Sequence, residues 1–132
     1  CTVQGVGPVG WAQAAISAMD RYRAERLVAE VNQGGQLVEE VIRQVDPLVP
    51  YRAVHAARGK SARAEPVAAL YEQGRVFHGH GLHELEDQMS QMTAHGFKGE
   101  GSPDRLDALV WAMHELIVGP AQRVRQPRVR VP

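Results

Sequence analysis

Apolar residues recur along this chain with a helical period in some stretches and as short continuous runs in others, and the two kinds of stretch alternate. Trp11, Ala15, Ala18, Met19 and Tyr22 predict a helix over residues 9–23, set off by Gly7 and Pro8. Residues 26–31 then read as a buried strand with an acid, Glu30, near its end. Leu37, Val38, Val41, Ile42 and Val45 form a helical stripe that stops before Pro47, and residues 51–56 read as a second strand. Because proline suits a helix start better than a helix interior, the next helix is expected over residues 66–73, from Pro66 to a stop at Gly74. A short strand over residues 75–78 and a helix marked by Leu82, Leu85, Met89 and Met92 follow. Residues 93–101, with Gly96, Gly99 and Gly101, predict a mobile loop. The last helix is expected to take Ser102 as N-cap and Pro103 as first residue, and to bury Leu106, Leu109, Val110, Met113, Leu116 and Ile117.

A strand, a helix and a second strand joined by short connections predict an α/β fold, with a right-handed crossover and parallel pairing between residues 26–31 and 51–56. In such sheets working residues lie at the carboxyl ends of strands, which is where Glu30 falls. Asn32, Gly34 and Gly35 follow it; both residue types tolerate positive φ and let a strand turn sharply into a helix. They do not make a dinucleotide-binding glycine fingerprint, and a Walker-type phosphate loop is absent from the sequence.

Composition narrows the class. With 132 residues, 44% of them hydrophobic, the chain can bury one small core. No apolar run approaches the roughly 18 residues of a membrane span, so no membrane partner is expected. A single Cys, Cys1, excludes an internal disulfide and fits a reducing cytoplasm. A net charge of zero argues against a generally basic nucleic-acid binder and shifts attention to local clusters. Arg58, Lys60 and Arg63 gather after the second predicted strand, and Arg123, Arg125, Arg128 and Arg130 punctuate an acid-free tail. Either cluster can neutralise phosphates, or be a solvated loop and a solvated terminus.

The candidate chemistry lies in the acids. Asp104 and Asp107 are three apart on the first turns of the last helix, so they share a face and interact favourably with the helix N-terminus. An acid at a strand end and acids at a helix start can converge, and converging carboxylates suit a divalent-metal phosphodiesterase, because hard cations prefer oxygen ligands. Read singly, Glu30 is a surface acid and Asp104 a helix-stabilising one. His78, His80 and His83 have a spacing open to a transition metal, but without a cysteine or a carboxylate at fixed offset they read as a histidine-rich turn.

Three ordered segments carry a resemblance: Glu30 to Gly35, Gly59 to Val76, and Ser102 to Ala112. Together they resemble the C-terminal nuclease domain of the phage terminase large subunit, of the prophage and gene transfer agent type, with similarity over residues 5–118. The resemblance implies an RNase H-like mixed sheet flanked by helices, and a two-metal-ion endonuclease that uses Mg²⁺ or Mn²⁺ to cut concatemeric double-stranded DNA during genome packaging in the bacterial cytoplasm. It implies Glu30, Asp104 and Asp107 as catalytic metal ligands, with Asp107 the weaker of the helix pair. It implies Arg58, Lys60 and Arg63 as DNA-binding, and the terminase small subunit and portal as partners of the full-length protein. The family's first catalytic aspartate lies on a strand ahead of the matched segments. The chain is therefore expected to be an excised fragment lacking the N-terminal strands and the ATPase motor, and to be nearly inactive alone. Residues 1–118 would be the partial nuclease domain and 119–132 a basic, flexible tail. A twofold dimer of the fragment is expected to shield its open sheet edge. The alternative function is a non-catalytic module that docks to DNA or to the packaging complex.

Overall fold

A computed structural model describes residues 5–31 and 35–120. The tail arginines, Cys1 to Gln4, and Asn32 with Gly34 lie outside the described residues. Two compact units divide the chain between Ala57 and Arg58.

In the first unit, α1 (Pro8–Tyr22), β1 (Leu27–Glu30), α2 (Gly35–Val45) and β2 (Tyr51–Val54) follow one another. The strands pair in parallel with Leu27 opposite Tyr51 and Glu30 opposite Val54, as the strand–helix–strand pattern predicts. Ala12 from α1, Val41 and Ile42 from α2, and Val49 before β2 form the core, with Trp11, Ile16, Met19, Val38 and Val45 packed against it. Two expected core positions fall outside: Tyr22 is 71% exposed and Leu37 67%. Both lie at helix ends, where a stripe of period 3.6 has drifted off the contact face. Gly35 opens α2 because a Cβ there would lie 2.8 Å from the Cβ of Val31, itself buried. Helix α1 closes on Arg23, which adopts φ 51°; the N–H groups of Arg23 and Ala24 donate to the carbonyls of Asp20 and Met19.

The second unit holds α3 (Lys60–Glu72), α4 (His83–Ser90), a hairpin of β3 (Met92–Thr93) and β4 (Gly96–Phe97), and α5 (Asp104–Met113), which runs into a π-turn at His114–Val118. Val67 and Leu70 of α3 meet Leu106, Val110 and Met113 of α5 and Val118, and Leu85, Met89 and Met92 pack against them.

The structure corrects the sequence reading at six places. Helix α3 begins at Lys60, six residues before Pro66, which sits inside it. The lost Pro66 N–H is tolerated because the first turn is held from outside, by contacts of Lys60 and Arg63 described below. Residues 75–78 are not a strand. Residues 93–101 contain an antiparallel hairpin, in which Thr93 Oγ1 donates to the Gly96 carbonyl and Gly96 takes φ 117°. Pro103, not Ser102, stands at the N-cap of α5. Leu116 is 72% exposed while Val118 is buried, because the π-turn inserts one residue and moves the inward position five places on from Met113. Among the described residues the strands form two separate two-stranded sheets rather than one mixed sheet.

Candidate functional site

Helix α5 opens without a side-chain cap of its own. The acceptor is supplied from α4: Gln88 Oε1 receives the N–H groups of Arg105 at 3.0 Å and Leu106 at 3.1 Å. These are the donors an N-cap side chain ordinarily satisfies. Arg105 reaches back to α4 as well, its Nη2 lying 2.6 Å from Glu84 Oε2. The start of α5 is thereby fixed with Asp104 exposed at its first position and Asp107 half-buried one turn on.

Asp107 faces two cations from α3. Lys60 Nζ forms an ion pair with Oδ2, and Arg63 Nη2 lies 3.5 Å from Oδ1. Ser102, no longer a cap, accepts a hydrogen bond from Lys60 Nζ at 3.3 Å. Arg63 is only 7% exposed. Its guanidinium stacks over Trp111 with Cζ 4.8 Å from the ring centroid, and its Nη1 donates to the Arg58 carbonyl at 3.0 Å. His114, on the π-turn, donates from Nε2 to the Arg63 carbonyl at 2.8 Å. A buried guanidinium needs this degree of pairing, since desolvation of an uncompensated charge costs several kcal/mol, on the order of 3–5. Arg58 keeps its side chain on the exposed surface.

Asp107, Lys60 and Arg63 come together in one cluster, with Asp104 on the same helix turn region and Arg58 at its margin. Glu30 is exposed at the carboxyl end of β1, in the first unit. Gln88, Trp111 and His114 carry no role in the sequence reading. Gln88 left no local signal because it acts on residues 17 and 18 places away.

The histidines do not converge. His78 bridges Tyr71, whose hydroxyl lies 2.7 Å from Nε2, and Glu86, whose Oε1 lies 3.0 Å from Nδ1. The ionised carboxylate can only accept, so Nδ1 carries the proton and the Tyr71 hydroxyl donates to Nε2 when the imidazole is neutral. His83 is almost wholly exposed, 3.8 Å from Glu86.

Glu30 in the first unit and Asp104 in the second are each exposed carboxylates, the oxygen-donor type that hard divalent cations prefer. Among the described residues no group of three or more potential metal ligands is assembled. No helix among them is long and apolar enough to cross a membrane.

The second unit thus carries an exposed carboxylate at the start of a helix, beside a lysine–arginine–aspartate cluster, and the first unit carries an exposed acid at a strand end. Residues 2–116 match the family model of the terminase RNaseH-like domain, and the chain belongs to that family. No curated protein and no solved structure matches it.

Proposed function

We propose that this chain is the nuclease module of a terminase large subunit, a metal-dependent endonuclease that cuts concatemeric double-stranded DNA during phage-type genome packaging in the bacterial cytoplasm. The observation that carries this reading is the match over residues 2–116, joined to an exposed acid at the start of α5 beside a lysine–arginine–aspartate cluster. Glu30 and Asp104 serve as ligands for Mg²⁺ or Mn²⁺, and Asp107 assists. When bound, the cation supplies positive charge to the attacking water and the leaving oxygen. No protein nucleophile is required.

The residues of the chain do the rest. Lys60, whose ammonium is held at the surface by Asp107 and Ser102, and the exposed Arg58 meet phosphate oxygens. Arg63, buried, adds its charge to the field from beneath and fixes the first turn of α3. Asp107 orients Lys60 for phosphate and offsets part of the cation charge, which keeps the cluster from binding DNA indiscriminately. Residues 1–118 form the catalytic module and 119–132 a basic extension; the small subunit and portal are the partners during packaging.

A second reading, a non-catalytic module docking to DNA or the packaging complex, is favoured by one fact: the two carboxylate oxygens of Asp107 already face Lys60 and Arg63. Incubation of supercoiled plasmid with the protein in Mn²⁺ or Mg²⁺, with and without chelator, separates the two. Nicking in Mn²⁺ that stops with chelator is the result expected of the nuclease. Binding without nicking in any divalent metal supports the docking module.

A further inference from the structure

We infer that Gln88 is a positioning residue for the acids of α5. This rests on the reading of Asp104 as a metal ligand. Its side-chain carbonyl accepts both N–H groups, at 3.0 and 3.1 Å, that the first turn of α5 leaves open. Both partners are donors, so the amide oxygen must face the helix and the NH₂ group must face away.

The device is an outsourced cap. Pro103, at the N-cap, has no side-chain acceptor, and Ser102, which has one, uses its Oγ for Lys60 Nζ. If Ser102 capped α5 itself, Lys60 would lose one of its two anchors. A capping aspartate in its place would satisfy the same donors but set a third negative charge beside Asp104 and Asp107. A neutral amide from another helix satisfies the donors, leaves Ser102 to Lys60 and adds no charge.

The support is packed and paired. Leu85 and Met89 of α4 pack against the core of this unit, and Gln88, one turn from Leu85, shares that face. The Arg105–Glu84 pair ties the same turn of α5 to α4 a second time. Rotation of that turn would carry Asp104 and Asp107 with it.

The test uses the whole chain, with Mn²⁺ as probe. Paramagnetic broadening of backbone amides at residues 104–107 is titrated in the wild type, Gln88→Leu, Gln88→Glu and Glu84→Gln, and amide hydrogen exchange is followed at Arg105 and Leu106. Gln88→Leu should speed exchange at both amides and raise half-saturating Mn²⁺ about tenfold, the range of outer-shell substitutions at metal sites. Gln88→Glu, which keeps an acceptor at the same reach, should restore slow exchange and bring half-saturation back to the wild-type value or below. Glu84→Gln, which leaves the cap intact, should leave exchange slow and shift half-saturation in the same direction by less. Fast exchange in Gln88→Leu with wild-type half-saturation would overturn the inference, making the cap a stabilising contact only. Absence of any Mn²⁺ effect at 104–107 in the wild type would overturn the metal-ligand reading and this inference with it, whatever the exchange rates show.

Discussion

Asp107 shows how one carboxylate can organise two cations of different character. Lys60 is a strongly hydrated point charge on a flexible stem, and Asp107 holds it at the surface; Arg63 is planar and stacks on Trp111 below. Only the first remains within reach of a phosphate. Lys60→Ala should therefore weaken DNA binding equally for all sequences and lower the log–log salt slope by about one, the loss of one counterion-releasing contact. Filter binding across a salt series measures it, and an unchanged slope would return Lys60 to a purely structural role. A second residue-scale expectation concerns Tyr71. Burial pushes its phenol above the ordinary value of 10.0. The folded state thus favours the neutral form, so this contribution to stability is present below pH 10.0 and is lost as pH rises through the folded value. Denaturant unfolding across the alkaline range should show a shallower decline in Tyr71→Phe than in the wild type.

At the scale of elements, what was legible in the sequence was local. The apolar periods of α1, α2 and α5, the parallel pairing of β1 with β2, and the stop of α3 at Gly74 depend on neighbours in the chain. At that stop, the N–H groups of Gly74 and Arg75 donate to the carbonyls of Tyr71 and Leu70 with Gly74 at φ 65°, as a glycine signal implies. What was not legible depended on distant partners. Pro66 argues for a helix start, and the structure overrides it because Arg63 is anchored beneath Trp111 and by His114. Ser102 followed by Pro103 argues for a serine cap, and Gln88 supplants it. The π-turn has no period of its own to read, so the helical stripe predicts Leu116 inside, whereas it lies outside. Helix α1 makes the same closing turn as α3 but with Arg23 in the left-handed region, where a side chain costs about 1–2 kcal/mol. Arg23→Gly should accordingly stabilise the first unit by about 1 kcal/mol, less the added freedom of the unfolded glycine. Urea unfolding checks it; a loss of stability would mean that the arginine side chain contributes more than its backbone costs.

At the scale of the whole molecule, the sheet of the first unit matters because β1 pairs on one side only among the described residues. The Leu27 N–H donates to the Pro50 carbonyl and the Val31 N–H to the Val54 carbonyl, so alternate residues of β1 face β2 and Val28 presents its main chain to the other edge. Among the described residues β1 pairs with no other strand. An open edge with apolar neighbours is a template for another strand. The isolated chain should therefore self-associate through β1, most simply as a twofold dimer. Light scattering over a concentration series, with hydrogen exchange at residues 27–31, tests this; a monomer at every concentration would show that the edge is closed within the chain.

The central proposal is that Glu30 and Asp104 are metal-holding acids of a nuclease, and the most direct measurement is Mn²⁺-dependent plasmid cleavage by the wild-type protein, compared with Glu30→Ala, Asp104→Ala and Asp107→Ala. The account predicts that the first two each lower the rate at least about a hundredfold and the third less, because removing a ligand collapses the cation geometry whereas Asp107 acts through Lys60. Full activity in either Glu30→Ala or Asp104→Ala would contradict it.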